Sequence, residues 1–329
     1  MIISRTPFRI SFFGGGTDFP KWYKEERGKV ISTCINKHCY ISARILPPFF
    51  KYNYRLRYFK KEEVKKISLI KHPSIRETIK YLNFSKNLEI VHHADLPAQS
   101  GLGASSSFTV GMINSLIALQ GKRISKKNLA MEALKIEQQK IKEYVGSQDQ
   151  FAASFGGFNI INFNSNKIDV SPVPTTNKNL DILEKSIFLV FSGHPRNAQV
   201  LEKKKINNIK KNSKFLKNIL EITDQAEKKL YNSKNIVSDF SELIEKYWWY
   251  KIKLSNDVTN PKIDRLMKIA FKNGAYSGKL VGAGGGGFLM FLIDHKKREH
   301  LTKIFKKFTT VPIRFEHNGS QIIYYQDNQ

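Results

Sequence analysis

The stretch Leu96-Pro97-Ala98-Gln99-Ser100-Gly101-Leu102-Gly103-Ala104-Ser105-Ser106-Ser107 limits the fold of this chain more than any other segment. It is a glycine- and serine-rich turn that runs straight into a helix. Phe108, Met112, Ile113, Leu116 and Ile117 recur at helical spacing, and Gly121 ends the run. Gly101 and Gly103 open backbone conformations that a side chain would close. The first-turn amides of a helix have no partners and carry partial positive charge, so they suit an anion. The serine hydroxyls stand where they can hold phosphate oxygens or a metal ion. The segment is not a Walker loop, because no Gly-Lys-Ser/Thr follows the glycines. Such turns also cap ordinary helices, so this segment alone does not establish a phosphate site.

Two further segments shift the balance. In Pro7-Phe8-Arg9-Ile10-Ser11-Phe12-Phe13-Gly14-Gly15-Gly16-Thr17-Asp18-Phe19-Pro20, Phe8, Ile10 and Phe12 alternate with Arg9, Ser11 and Phe13, and three glycines and an acid follow. The pattern predicts a strand whose glycine end lets a ligand approach the backbone. Arg9 on an apolar strand is costly unless paired; an edge position for Arg9 and a turn for Asp18 are the plainer account. The third segment runs from Lys279 to Leu292 and has five glycines among the six residues 282–287. Glycine runs are often flexible linkers. An apolar strand directly after this one argues instead for a tight loop packed on another backbone or a ligand.

A helix is predicted from the Ser125 cap to about Tyr144, with Gly146 as its stop. Glu137 falls on its apolar stripe of Leu129, Ala130, Ala133, Leu134, Ile141 and Val145, whereas Glu132 and Glu143 lie off it. A carboxylate facing a core is tolerated when it is hydrogen-bonded or binds a metal; a Mg²⁺ ligand is the favoured reading. Asp149 follows in a turn, in Val145-Gly146-Ser147-Gln148-Asp149-Gln150-Phe151.

These segments, in this order, resemble the GHMP kinase superfamily over nearly the whole chain. The middle one matches Pro-x-x-x-Gly-Leu-Gly-Ser-Ser-Ser/Ala with Ala104 in place of the first serine. The run Ser171-Pro172-Val173-Pro174-Thr175-Thr176-Asn177 reads as a connector that divides the chain at residues 1–175 and 176–329, and the resemblance implies an α+β, two-domain GHMP kinase-like fold with a ferredoxin-like C-terminal domain and the nucleotide in the cleft. It implies that Pro97, Gly101, Leu102, Gly103, Ala104, Ser105, Ser106 and Ser107 cradle ATP, that Ser105 and Glu137 hold Mg²⁺, and that Asp149 is the base or orienting acid with Arg9 beside it. Gly15, Gly16, Thr17 and Asp18 would grip the acceptor, with Gly284 and Gly285 contributing. The tripled glycine, the Gly-Ser-Gln-Asp-Gln stretch and residues 191–198 resemble the branch of sugar 1-kinases. That branch implies transfer of the ATP γ-phosphate to the anomeric hydroxyl of a heptose 7-phosphate, giving a 1,7-bisphosphate for surface polysaccharide synthesis. Alternatives are a free sugar such as fucose, or a non-catalytic regulator binding sugar and ATP. A phosphorylated acceptor needs a second anion site. Arg196 is one candidate, a solvated loop arginine being an equal account of it, and Lys279 can instead meet a substrate or nucleotide phosphate.

The chemistry suits these residue types. Phosphoryl transfer depends on positioning and electrostatic stabilisation. Mg²⁺ usually takes one or two protein oxygens beside the nucleotide phosphates. A carboxylate is a weak base for an ordinary alcohol and serves better for a hemiacetal hydroxyl, whose developing alkoxide Arg9 would stabilise.

Composition narrows the rest. The 329 residues carry a formal charge of +27, which raises nucleic acid and anionic membranes as partners. Lysine is spread along the whole chain, and Tyr52, Tyr54, Leu56 and Tyr58 alternate as a half-buried strand would. The lysines at 203–205, 210–211, 214 and 217 read as a solvated helix face. We therefore expect a small-molecule enzyme with no nucleic-acid or membrane partner; self-association into a homo-oligomer stays open. No apolar run reaches the ~18 residues of a membrane span. Cys34 and Cys39 lie on one alternating segment and point to opposite faces, against a local disulfide and for a reducing, cytoplasmic setting. His317-Asn318-Gly319-Ser320 reads as a hairpin turn between 311–315 and 321–325.

Overall fold

In the structure, a computed structural model that describes residues 1–193 and 198–326, the strands divide between two sheets. The larger runs Gln321–Tyr325, Ile2–Phe13, Gly28–Ile45, Leu88–Ala94, Tyr54–Arg57, Lys61–Val64. The 18-residue strand Gly28–Ile45 forks: its first part pairs with Phe158–Phe163, and its last part with Leu88–Ala94. The smaller sheet is antiparallel. Numbered along the chain as Ile187–Phe191, Ala275–Leu280, Phe288–Ile293 and Thr310–Val311, its strands take the spatial order fourth, first, third, second. That order, with helices in the crossovers, is ferredoxin-like. Among the described residues of its first crossover are four helices, Ala198–Asn207, Ser213–Asn232, Ile236–Lys253 and Pro261–Lys272.

One hydrophobic core crosses both halves. Phe12 and Phe13 meet Phe240 edge-on at 5.8 and 5.3 Å between ring centroids, and Phe13 meets Tyr247 at 5.8 Å. The helix Ile236–Lys253 therefore covers the end of the first strand. Residues 6–13 are buried without interruption, and the expected in–out alternation of that strand is lost. Burying a phenylalanine contributes ~1.5–3 kcal/mol. The part-exposed bridges of Arg27 and Lys29 to Asp224 join the same halves, but exposed pairs contribute only ~0–1 kcal/mol each. The aromatic contact dominates the join.

Two further expectations fail. Residues 311–325 form no hairpin: Thr310–Val311 pairs in the smaller sheet and Gln321–Tyr325 in the larger. The segment between them bonds instead to the end of the helix Gln148–Phe155 and the turn after it: the Gly157 N–H donates to the Glu316 carbonyl at 2.8 Å, and the Ser320 N–H donates to the Ala153 carbonyl at 2.9 Å. The helix begun at Ser125 does not reach Tyr144. It is α-helical over Lys126–Leu134 and widens to a π-turn over Lys135–Lys140, where the Ile141 N–H bonds the Ile136 carbonyl. Lys142, at φ +61°, then ends it. Such π-turns recur at functional sites, and this one carries Glu137.

Candidate active site

Arg9 lies beyond the pairing with Gln321–Tyr325, which ends at Arg5; on that open side of the strand the glycine turn covers it, its N–H donating to the Leu102 carbonyl at 3.0 Å, and the residue is 5% exposed. Its guanidinium forks onto Asp149, with Nε to Oδ1 and Nη2 to Oδ2 both at 2.8 Å, while Nη1 donates to the Gly101 carbonyl at 2.6 Å. A planar fork on a carboxylate is among the stronger and more directional protein contacts. One side chain thus ties the glycine turn to the acid. Asp149 sits in the first turn of the helix Gln148–Phe155, not in an open turn, and faces a cavity of about 310 Å³.

The turn delivers its helix as expected, over Ala104–Leu119, with Gly103 at φ +78° as the cap. A Cβ on Gly103 would stand 3.2 Å from Arg9 Cγ and 3.5 Å from Asp149 Oδ2. Glycine here lets the helix start press against the pair. Gly101, Gly103, Ala104, Ser105 and Ser106 line the cavity with Gln99 and Ser100. The other cradle residues do not. Pro97 is exposed outside it, and the Leu102 side chain is in the core, where only its carbonyl is used, accepting the Arg9 N–H at 3.0 Å. The Ser107 hydroxyl donates to the Pro7 carbonyl at 2.8 Å, fastening helix to strand.

Glu137 is fully buried behind the cradle. Its Oε2 accepts from Ser106 Oγ at 2.9 Å and from Gln150 Nε2, while Oε1 has no partner. Burial pushes its carboxyl up to about 8, with the Glu143 charge adding to the shift. The hydroxyl at Glu137 belongs to Ser106; Ser105, assigned the metal from sequence, is exposed on the cavity wall. The reason is helical phase: Ser106 is turned inward and Ser105 outward. An orphaned buried carboxylate oxygen beside a hydroxyl fits a Mg²⁺ that takes few protein ligands. Among the described residues, no group of three or more His, Cys, Asp or Glu forms a fuller metal cage.

Gly15, Gly16 and Asp18 line the other end. Asp18 Oδ1 accepts the Gly16 N–H at 2.9 Å, and Oδ2 accepts from Gln148 Nε2 at 3.0 Å and its N–H at 3.3 Å. Burial raises its pKa above the ordinary value, with the Asp149 charge adding to the rise. Thr17 does not face the ligand: its hydroxyl is buried and donates to the Gly14 carbonyl at 2.8 Å. Gly284 and Gly285 pack on Val258 and Leu201, so Gly282 and Ala283 form that wall in their place. Arg196 lies outside the described residues.

The opposite wall holds three lysines. Lys279 Nζ donates to the carbonyls of Ser11 at 2.9 Å and Phe12 at 2.5 Å. Lys251 Nζ donates to those of Leu280 at 2.9 Å and Gly282 at 2.7 Å. Lys205, read from sequence as solvated, is buried; it donates to the Ala283 carbonyl and meets Glu202 at 3.6 Å. Tyr247 accepts the Gly15 N–H. Lys251 and Tyr247 went unnoticed in the sequence. Lys251 sits on the stripe Phe240, Leu243, Ile244, Tyr247 of its helix, so the argument that singled out Glu137 would have found it.

Comparison with known proteins agrees with this geometry. The GHMP kinases N terminal domain matches residues 68–157, and the GHMP kinases C terminal domain matches residues 233–309. A D-glycero-alpha-D-manno-heptose 7-phosphate kinase of Campylobacter jejuni is 30% identical over 318 residues, covering 93% of each chain. A D-glycero-D-manno-heptose 1-phosphate kinase from Bacteroides thetaiotaomicron shares the fold at a TM-score of 0.81 and 20% identity, over 99% of this chain and 100% of that one. A Lactococcus lactis galactokinase in complex with galactose does so at 0.73 and 18%, over 97% and 94%. The chain belongs to the GHMP kinase family.

Proposed function

We propose that this sugar kinase transfers the γ-phosphate of ATP to the anomeric hydroxyl of D-glycero-D-manno-heptose 7-phosphate. The observation that carries the reaction is the Arg9–Asp149 fork, set between the Gly101–Ser106 turn and the Gly15–Asp18 loop in one cavity. The relationship to the Campylobacter jejuni heptose 7-phosphate kinase supports the acceptor.

The cradle amides take up nucleotide phosphate charge, and Arg9 faces the oxygens where negative charge gathers. Both Asp149 oxygens already accept from Arg9. The carboxylate retains lone pairs for one more hydrogen bond, so its role is to orient the acceptor hydroxyl. A loose transition state asks little of a base, and an acidic hemiacetal hydroxyl asks less. Asp18 accepts from the sugar's other hydroxyls. Mg²⁺, held by Glu137 with Ser106, would neutralise charge on the phosphates. We take residues 1–175 as the phosphate-binding half and 176–329 as the glycine-loop half, with Gln321–Tyr325 returned to the first sheet. The buried free thiols of Cys34 and Cys39 suit the cytoplasm, where ATP is found.

ADP release with Mg-ATP should be measured against the heptose 7-phosphate, the free heptose, mannose 6-phosphate, fucose and galactose. Turnover confined to the heptose 7-phosphate is expected. Preference for a free sugar would remove the phosphorylated acceptor, and silence with every sugar would remove the kinase reading.

A further inference from the structure

The Lys279 ammonium poses a problem of charge balance. The residue is 1% exposed and stands on the cavity wall. Its recorded partners are the Ser11 and Phe12 carbonyls and the face of the Tyr247 ring, 4.2 Å from Nζ to the centroid. Burial, and then the nearby Arg9 charge, hold its pKa well below the ordinary lysine value, so an anion in the cavity would favour its charged form. Taking a cation out of water costs several kcal/mol, which is offset where an anion pairs with it. Carbonyl bonds and a cation–π contact recover part of that. Among the described residues, no carboxylate is recorded in ion-pair contact with Lys279, whereas Lys205 on the same wall has Glu202.

A second group points the same way. Ser11 lines the cavity and is 6% exposed, yet its hydroxyl has no hydrogen-bond partner. It lies two residues from Arg9 on a strand, hence on the same face. The carbonyl of this serine accepts from Lys279, so the orphaned hydroxyl and the ammonium sit on one residue's two polar ends. An ammonium has three N–H donors, and two are used on carbonyls.

We propose that Lys279 and Ser11 form a phosphoryl-contact site, in which the third Lys279 N–H and the Ser11 hydroxyl donate to the oxygens of a ligand phosphate. The carbonyls hold the ammonium in place before the ligand arrives. The same chemistry is offered by the acceptor's own phosphate and by the terminal phosphate of the nucleotide, and both reach this cavity under the kinase reading on which the inference rests.

The test is equilibrium binding, followed calorimetrically, of heptose 7-phosphate, free heptose and a non-hydrolysable ATP analogue with Mg²⁺. Lys279→Met is expected to weaken at least one phosphate-bearing probe ~10-fold or more, the scale of a lost charge-assisted hydrogen bond, and to leave free heptose within twofold. A loss confined to heptose 7-phosphate identifies the acceptor phosphate; a loss confined to the ATP analogue identifies the nucleotide. Lys279→Gln serves as the second variant, because it keeps amide donors for the two carbonyls and lacks the charge. If Lys279→Gln restores phosphate binding, Lys279 is only a brace and the inference falls. It falls equally if free heptose weakens in step, or if both phosphate probes bind a folded variant as they bind the wild type. Because binding is read, a wild type that binds the probes without turnover would sink the kinase reading and leave this test intact.

Discussion

The two walls of the cavity handle charge in opposite ways. On the wall built by residues 1–175, the central cation and acid are matched, Arg9 to Asp149 through two bonds of 2.8 Å. On the wall built by the later residues, Lys251 and Lys279 are held by backbone carbonyls. A matched pair fixes geometry and spends its charge locally. A cation resting on carbonyls is fixed as firmly, and more of its field remains for a ligand. Under the proposed function the first wall would orient a nucleophile and the second would receive negative charge, with Lys205 set apart by its pairing with Glu202.

The comparison breaks first at Asp149. Asp149→Asn should lower turnover by roughly 10²–10⁴-fold, the range for a positioned acid or base, with the KM for ATP changed far less. Turnover near that of the wild type would mean the matched pair is structural. Next come the two serines. Ser106→Ala should raise the Mg²⁺ concentration needed for half-maximal activity ~10-fold, the scale for disturbing a metal's immediate support, and Ser105→Ala should shift it much less. The reverse order in a Mg²⁺ titration would restore the assignment made from sequence. The smallest effect is expected at Asp18. Its raised carboxyl pKa means that folding favours the protonated form. That contribution is complete below the unfolded carboxyl value of about 3.9 and is lost as pH rises through the folded value. Ionising Asp18 as pH rises therefore costs the wild type stability that Asp18→Asn does not lose. The melting point of the variant should rise relative to the wild type with increasing pH, while it binds the acceptor more weakly. A difference in melting point that stays constant with pH, or reverses, would show that the bonds from Gly16 and Gln148 outweigh the burial cost.

The sequence carried the first wall better than the second, for a physical reason. Turn glycines, serine runs and an acid on an apolar stripe each violate a local rule, so Gly101, Gly103, Glu137 and Asp18 stood out. The phase of a helix was harder to read. Ser105 and Ser106 are adjacent, and only packing of Ala104–Leu119 turns one inward. The hairpin at 317–320 was misread because turn residues report a change of direction, and not which strand receives the chain afterwards. Lys205 was hidden among solvated lysines on its own helix. What buries it is the carbonyl of Ala283, supplied by a loop far along the chain.

The strand Gln321–Tyr325 has a consequence for folding. It pairs only with residues 2–5 of Ile2–Phe13, and the Gln326 N–H closes onto the Met1 carbonyl at 2.9 Å. Ile2 meets Tyr325 across most of the chain, and contacts so distant in sequence form late because loop closure must come first. Until they form, residues 2–5 present an unpaired edge, which invites wrong partners.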